Sequence, residues 1–471
     1  MATGSGFYVT LGINNDMQKH LFKAGAAQID ITPPLGTVIN GEFRTRYANK
    51  IADPLYAKAL VLEGESSRLV IVLVDTCAMQ RALIDETKAL ITAELGILPE
   101  HQLIASTHTH SAGAVEDLLM GHVDLAYRQK MPGLIARAAK KAADNSRTAK
   151  IAWGVTDQPQ HVLCRRYQMT ADCTPRNPVT GAVDAVMTNP FGNESKIIGP
   201  TTEPDPGLGY LAVKGLDDEW IAMLANYSLH YVGDCERGTI SADYFGYFAR
   251  ALASKLSAKS EFVGMMSNGT SGEINLWDFQ HPGQYPTEPH QKSALVADDL
   301  ASAVVRSMDG LAWEEAPRID AVFNDVSVGV RKPSEGELRH AKDVVQATDY
   351  EAIAFGQPDF FEQVYAREQV FLSRYPDQKL FPVQSLRIGS GAIGALGGEF
   401  FSETGKKLKG IAPAGKYFTI CMANDYVGYV PPAHELEKGG YETWRCRTSY
   451  LDAAAEETIR TSLARQLNKY G

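Results

Sequence analysis

The chain has 471 residues, with 46 basic and 56 acidic side chains and a formal net charge of −10. That length allows a sizeable hydrophobic core, and the composition is typical of a globular protein. The acidic balance and the lack of a basic stripe argue against nucleic acid as a partner. Since no apolar run approaches the roughly 18 residues that a membrane span needs, no transmembrane segment is predicted.

The beginning of the chain predicts no signal peptide, because no cationic start is followed by an apolar block. Residues 1–21 are expected to form a disordered leader, and residues 22–471 a single catalytic domain. The compartment stays open: cytoplasmic as written, or secreted or periplasmic if a signal has been removed. The sequence also leaves the oligomeric state open.

The first third of the chain predicts strands that alternate with helices. Residues 69–74 are wholly apolar, as a strand covered on both faces should be, and residues 80–95 have helical periodicity that stops at Gly96. Residues 103–105 are expected to end a buried strand. A second helix over 124–143 and a strand over 150–155 follow.

Residues 158–209 contain many prolines and glycines and little periodicity. Such a long irregular stretch within a compact domain favours a wall or lid of a site. Beyond it, the patterns predict a hairpin over 211–227 and strands at 262–266, 319–330, 386–396 and 417–423. Helices are predicted at 244–256, 292–307, 403–408 and 453–468, with two more within 335–374.

Residues 106–111, Ser-Thr-His-Thr-His-Ser, follow one of the predicted strands. Open α/β folds place chemistry just past the carboxyl ends of strands, and His-x-His in extended backbone puts both imidazoles on one side. That arrangement is typical of metal ligands. The alternative is that His108 and His110 lie on a solvated strand face.

Further polar residues stand at strand ends, namely His230, Glu399 and Tyr429. Two neutral imidazoles and a carboxylate are the commonest ligands of a catalytic zinc, and a phenolate oxygen could complete the set. Taken singly, each residue also has a structural interpretation as a core hydrogen-bonding group, a helix cap or packing. Asp75 and Asp243 are interpreted as caps or as groups that orient a metal-binding imidazole.

The chain resembles the neutral, or non-lysosomal, ceramidases over nearly its whole length. The resemblance rests on short segments in a shared order: residues 29–32 with Gly41, 106–111, 226–230, 240–243 with 246–247, 386–389, 398–400, and 426–430 with 441–442. It implies a mixed α/β fold in which two mixed β-sheets are sandwiched between α-helices (αββα).

The resemblance also implies site residues. One zinc ion would be bound by four residues, His108, His230, Glu399 and Tyr429. His110 would lie beside the metal and hydrogen-bond its water or the oxyanion. Three more residues match positions around the substrate head: Gly41, Arg165 and Tyr441. The match of Arg165 is ambiguous, because Arg166 is adjacent.

The chain departs from the family at a serine required for ceramide hydrolysis. One alignment puts Asn275 in its place, and an ungapped one puts Glu273 there. The sequence also ends at Gly471, where family members continue into an immunoglobulin-like domain. Both differences place ceramide itself in doubt.

The predicted activity is that of a zinc-dependent amidohydrolase that cleaves an N-acyl bond of a small or lipid-like substrate by attack of zinc-bound water. His110, with Tyr441 or Arg165, would stabilise the oxyanion, and Glu273 would act as general base if it faces the metal. Two alternatives stay open. One is a zinc-dependent esterase or deacylase acting on an acylated lipid or sugar, and the other is a non-catalytic binding protein on the same fold.

Overall fold

The structure is a computed structural model that describes residue 1 and residues 21–412 and 415–470. The expected leader therefore lies almost wholly outside the described residues. Eight strands form a large mixed sheet, in the order β8-β7-β6-β5-β1-β2-β3-β4. In chain order they are β1 Lys23–Asp30, β2 Tyr56–Glu63, β3 Arg68–Val74, β4 Gln102–Ser106, β5 Arg147–Asp157, β6 Gly207–Gly215, β7 Trp220–Tyr227 and β8 Val263–Asn268.

Most neighbours in this sheet are antiparallel, while β3 with β4 and β7 with β8 are parallel. The apolar run predicted as a doubly covered strand is β3, and its residues from Leu69 to Val74 are fully buried. Burial on both faces explains why its sequence does not alternate between apolar and polar residues.

A second sheet of four strands has the order β9-β10-β11-β12. Its strands are β9 Ile319–Gly329, β10 Gln378–Ile388, β11 Gly391–Leu396 and β12 Tyr417–Ile420. The prediction of one strand over 386–396 was wrong, because the chain turns back at Gly389, whose φ of 61° favours glycine. Ile388 then pairs with Gly391 across a tight hairpin.

The helices follow the predicted positions closely, with shifts of a few residues at their ends. The predicted helix over 124–143 is two helices, and Pro132 stands in the first turn of the longer one, where its missing N–H is harmless. The helices are α1 Arg81–Leu95, α2 Leu125–Arg128, α3 Met131–Asp144, α4 Asp243–Lys255, α5 Gln291–Arg306, α6 Glu335–Ala347, α7 Phe360–Leu372, α8 Ser402–Lys409, α9 Ala433–Glu437 and α10 Ala455–Leu467.

The core joins both sheets. One buried cluster contains Leu60 and Leu73 of the large sheet together with Leu386, Ile393 and Phe418 of the smaller one. Side chains of α1 and α3 pack against β1–β3, those of α4 and α5 against β6–β8, and those of α10 against the second sheet. The fold is therefore mixed α/β, as predicted.

The segment after β12 links two strand ends that the sheet order leaves far apart. Cys421 N donates to Asn268 O at the end of β8, at 2.9 Å, and Ser106 N at the end of β4 donates to Met422 O, at 3.1 Å. Asn424 N also donates to Ile104 O of β4. These bonds bring the residues that follow β4 close to those that follow β8.

Residues 158–209, predicted as an irregular wall, contain a small three-stranded sheet of Val186–Thr188, Arg166–Met169 and Ile197–Pro200, in that spatial order. Two-residue strands form four further pairs: Val38–Ile39 with Arg46–Tyr47, Lys50–Ile51 with Thr239–Ile240, Leu163–Cys164 with Ile274–Asn275, and Glu399–Phe400 with Tyr429–Val430. Over the part of the chain that the structure describes, no helix has the length and apolar character to cross a membrane.

Candidate metal centre

Two histidines and a glutamate from distant parts of the chain meet in the interior. Nε2 of His108 lies 3.1 Å from Nε2 of His230. Oε2 of Glu399 lies 3.7 Å from the first of these nitrogens and 3.3 Å from the second. All three side chains are at most 2% exposed. The structure thus brings together three of the four residues that the sequence suggested as ligands.

The hydrogen bonds of the two rings determine which nitrogens face each other. Nδ1 of His108 lies 2.6 Å from Cys77 O, and Nδ1 of His230 lies 2.9 Å from Ser271 O. A carbonyl oxygen only accepts, so each Nδ1 carries the hydrogen, and Nε2 of a neutral ring then offers a lone pair. Burial lowers the pKa of His230 well below its usual value, which favours the neutral ring.

The Nε2 lone pairs of the two histidines and the carboxylate of Glu399 therefore face one another. Among the described residues, Glu399 Oε2 is buried and accepts no hydrogen bond. Lone pairs and a carboxylate at these distances repel one another unless a cation lies between them. The donor set of two imidazole nitrogens and one carboxylate oxygen fits a divalent metal such as zinc.

The backbone reaches this geometry differently from the prediction. His108 is not extended but left-handed, with φ 75°. Its N–H donates to Thr76 O at 3.0 Å, and Thr107 N–H donates to Val74 O at 2.9 Å. These bonds to the end of β3 hold the turn, so the imidazoles of His108 and His110 converge through a turn and not along a strand.

Asp75 and Asp243 do not orient the imidazoles, because backbone carbonyls do. Asp75 accepts from Tyr56 N at 2.9 Å. The carboxylate of Asp243 accepts from Val232 N at 3.0 Å and Gly233 N at 2.8 Å. It therefore holds the loop that directly follows His230.

Glu399 and Tyr429 are neighbours through a short parallel pairing of their backbones. The other oxygen of Glu399, Oε1, accepts from the hydroxyl of Tyr426 at 2.7 Å. The hydroxyl of Tyr429 accepts from Arg165 Nη2 at 3.1 Å. Burial and the charge of Glu399 raise the pKa of Tyr429 well above its usual value, and Arg165 opposes that rise. Tyr426 belongs to a segment that carried the resemblance, but the sequence did not single it out.

His110 lies beside the metal centre. Its Nε2 is 3.1 Å from Nε2 of His108, and its ring stacks on Tyr231 with a centroid distance of 3.8 Å and an interplanar angle of 15°. Burial and the nearby charges lower the pKa of His110 well below its usual value, so its ring is neutral. Tyr231 was missed from the sequence, although it directly follows His230.

Gly41 packs against His110, and this contact supports a prediction. A Cβ at Gly41 would lie 2.8 Å from His110 Cγ, and φ there is 100°. We expect Gly41→Ala to displace the imidazole and to lower kcat for the reaction proposed below by about 10²-fold, as small misplacements of active groups do. The control is Gly36→Ala, where φ is 87° but no atom lies within 4 Å of the added Cβ. Equal losses in both variants would show that backbone strain, and not His110, is responsible.

Arg165 and Arg166 have separate environments, which bears on the ambiguity between them. Arg165 lines the cavity beside the metal centre, with Nε donating to Glu442 at 2.8 Å and Nη2 to Gly272 O at 2.7 Å. Arg166 is fully buried and pairs with Glu442 at 2.9 Å and Glu435 at 3.1 Å. Of these two arginines, Arg165 is therefore the one placed to contact a ligand in the cavity.

Glu273 and Asn275 are not among the described residues that line this cavity. Both carboxylate oxygens of Glu273 accept from Ser402 N, at 2.9 and 3.1 Å, so the side chain holds the start of α8. The amide of Asn275 donates to Asn189 Oδ1 at 2.7 Å, and Asn189 does line the cavity. The structure thus separates these two residues from the group formed by His108, His230 and Glu399.

The position of Glu273 leads to a prediction about pH. Burial raises its pKa from 4.5 to about 7. The contribution of its protonated form to the free energy of unfolding is complete below pH 4.5 and is lost as the pH rises through about 7. We expect Glu273→Gln to remove this dependence and to raise the free energy of unfolding at pH 8 by about 3 kcal/mol relative to wild type, with hydrolysis retained.

Denaturant unfolding of both proteins at pH 5 and pH 8 measures the difference, with the exposed Glu457→Gln as control. A loss of hydrolysis in Glu273→Gln with normal metal content would instead support the general-base role.

A cavity of about 900 Å³ opens beside the metal centre. The imidazoles of His108, His110 and His230, the carboxylate of Glu399 and the rings of Tyr429 and Tyr441 lie on its wall. The rest of the lining is largely apolar and includes Phe43, Leu118, Leu119, Val186, Met187, Phe191, Phe355, Phe361 and Trp444. Part of this wall comes from residues 158–209, as the sequence predicted.

The fold and site define a mixed α/β protein with a buried His–His–Glu group beside a large, mainly apolar cavity. The neutral ceramidases share this fold. The crystal structure of neutral ceramidase from Pseudomonas aeruginosa matches with a TM-score of 0.70 at 16% identity, covering 94% of this chain and 74% of that one. A ceramidase complexed with C2 matches with a TM-score of 0.69 at 15% identity, covering 96% and 76%.

No protein-family model and no curated protein matches the chain. The resemblance seen in short sequence segments is therefore confirmed as a likeness to ceramidases in fold.

Proposed function

We propose that this protein is a metal-dependent hydrolase that cleaves the amide bond of an N-acyl substrate. The observation that carries the proposal is the convergence of two buried Nε2 lone pairs with the unpartnered oxygen of Glu399 on the wall of a large cavity. The likeness in fold to ceramidases adds support, because those enzymes hydrolyse an amide.

Zinc is the metal that fits this donor set best. His108, His230 and Glu399 would hold it, with the Tyr429 hydroxyl as a weaker fourth ligand. Arg165, which donates to that hydroxyl, would stabilise negative charge on it. When bound, zinc supplies Lewis-acid chemistry that makes water nucleophilic near neutral pH and polarises a carbonyl.

The chain's own residues stabilise the oxyanion that develops during attack on the carbonyl. His110, whose Nε2 lies 3.1 Å from Nε2 of His108, would donate an N–H to the oxyanion, and Arg165 and Tyr441, which line the same cavity, would donate from their guanidinium and hydroxyl groups. Nη1 of Arg165 makes no hydrogen bond to a described residue, so it is free to donate. Each donor of this kind contributes roughly 3 kcal/mol to the transition state.

The acyl part of the substrate would lie against the aromatic side of the cavity. Phe43 contacts Tyr441 and Phe361 edge to face, with centroids 5.7 and 5.3 Å apart, and Phe361 contacts Trp444 at 5.8 Å. Apolar walls of this kind suit a hydrocarbon chain. A lipid-like N-acyl compound therefore fits better than a polar peptide.

Elemental analysis of the purified protein, paired with an acyl-amide panel before and after chelation, tests the proposal. We expect about one zinc per chain, turnover of N-acyl amides, loss of turnover with chelator and recovery on adding Zn²⁺. Matched acyl esters in the same panel distinguish an amidase from an esterase or deacylase. A protein without metal and without turnover of either class would contradict the proposal and favour a non-catalytic binding protein.

We also propose that the two sheets are the inner layers of an αββα sandwich. The buried cluster shared by both sheets, with helices packed on their other faces, supports this layering.

A further inference from the structure

Three arginines on the cavity wall pair with no acidic residue that the structure describes. Arg44, Arg176 and Arg237 all line the cavity, and they come from three separate loops of the chain. None of the three forms an ion pair with any residue in the described ranges, 21–412 and 415–470. Three basic side chains from separate loops thus line one cavity, and no acidic side chain of the described residues neutralises them.

The other charges on the wall are already balanced. Arg165 is paired with Glu442 at 2.8 Å, and Glu42 is paired with Arg46 at 3.1 Å. The charge of Glu399 belongs to the metal centre. The remaining wall is therefore positive, although the chain as a whole has a net charge of −10. This local excess of positive charge favours a negatively charged ligand.

The three guanidinium groups also keep free hydrogen-bond donors. To the described residues, Arg44 donates one hydrogen bond, to Ile353 O at 2.8 Å, and Arg176 donates one, to Gly181 O at 3.0 Å. A guanidinium has five N–H donors, and its planar fork matches the oxygens of a carboxylate or a phosphate. Arg176 and Arg237 are exposed while lining the cavity, which places them where it opens to solvent.

We propose that the amine part of the N-acyl substrate carries an oxyanion, a carboxylate or a phosphate, which these three arginines bind. The apolar acyl chain would occupy the aromatic side of the cavity, with the amide between the two. Hydrolysis adds water across the C–N bond: the acyl carbon gains the oxygen, and the amine leaves with a proton. This inference rests on the proposed function and specifies its substrate class.

A matched set of lauroyl amides tests the inference. The probes are N-lauroylglycine, N-lauroyl phosphoethanolamine and the neutral N-lauroylethanolamine. We expect kcat/KM for at least one anionic probe to exceed that for the neutral probe by about 10-fold or more at low salt. This preference should shrink in 0.5 M salt, because screening weakens the attraction. The two anionic probes separate a carboxylate from a phosphate.

Variants identify the residues responsible. Arg44→Gln, Arg176→Gln and Arg237→Gln should raise KM for the preferred anionic probe severalfold, and the rise should be clearly larger than any change in KM for the neutral probe. Arg137→Gln is the matched control, because Arg137 is an exposed arginine of α3 outside the cavity lining. Equal cleavage of anionic and neutral probes, or equal losses for both in the variants, would overturn the inference.

Binding to protein from which a chelator has removed the metal gives a second measurement that needs no turnover. Calorimetric titration with N-lauroylglycine, N-lauroyl phosphoethanolamine and N-lauroylethanolamine should show the same charge preference and the same arginine dependence. If no amide is hydrolysed but this preference persists, the proposed function fails and the anionic-ligand inference stands. If amides are hydrolysed without charge preference, the proposed function stands and the anionic-ligand inference fails.

Discussion

Glu399→Gln is expected to abolish metal binding and hydrolysis together. The substitution keeps the size of the side chain and removes the negative charge that lies 3.3 and 3.7 Å from the two facing Nε2 atoms. Without that charge, two imidazoles and a phenol are left to hold the ion. We expect bound zinc to fall from about one per chain to a small fraction, and turnover to fall by more than the ~10³-fold typical of losing a single oxyanion donor.

Elemental analysis and amide turnover on the same preparations measure both effects. Glu403→Gln is the matched control, because Glu403 lies four residues further on, in α8, and pairs with Lys407 instead. That variant should keep its metal and its activity. Retention of full metal content by Glu399→Gln would show that the glutamate is not a ligand.

Glu442→Gln is expected to produce the largest loss of stability. Glu442 is fully buried and pairs with two buried guanidinium groups, Arg165 at 2.8 Å and Arg166 at 2.9 Å. Removing one member of such a group leaves buried charge uncompensated, which costs about 3–5 kcal/mol. The variant should therefore unfold at a clearly lower denaturant concentration. The hydrogen bond from Arg165 to the Tyr429 hydroxyl should also weaken.

The pH dependence of Glu442 provides an independent check. Burial alone would raise its pKa, but Arg165 and Arg166 outweigh burial and hold the pKa below the usual value of 4.5. The stabilisation is therefore present above pH 4.5 and is lost as the pH falls below it. The difference in free energy of unfolding between wild type and Glu442→Gln should therefore shrink as the pH falls below 4.5.

Asp217→Asn is the control for stability, since it breaks the exposed ion pair with Arg147 and should leave the unfolding midpoint unchanged. An unfolding midpoint for Glu442→Gln equal to that of wild type would mean that the buried arginines are neutralised in another way.

Much of the secondary structure could be predicted because burial imposes periodic patterns on the sequence. The wholly apolar run that became β3 and the amphipathic helix α1 are cases where pattern and structure agree. The errors fall where a single backbone angle decides the outcome. The hairpin at Gly389 and the left-handed turn at His108 both depend on tertiary hydrogen bonds or packing that no local pattern expresses.

The candidate donor groups were visible in the sequence, but the tautomers of the two histidines were not. His108, His230 and Glu399 could be suspected because each follows or ends an apolar segment. That both histidines present Nε2 depends on the carbonyl oxygens of Cys77 and Ser271, which belong to segments far along the chain. Backbone carbonyls carry no side-chain signature, so a sequence cannot show which of them orients a ring.

The sequence by itself determined the mixed α/β class, the kind of donor groups and the likeness to ceramidases, because apolar periodicity and short motifs are local properties. Only the tertiary structure decided that residues 108, 230 and 399 meet, since the bonds of residues 421–424 to β4 and β8 draw those strand ends together. It alone also placed the Glu273 carboxylate against the start of α8 and put on the cavity wall three arginines that pair with no acidic residue of the described ranges. The physical reason is that convergence depends on contacts between segments hundreds of residues apart, each too small to leave a pattern in the sequence around it.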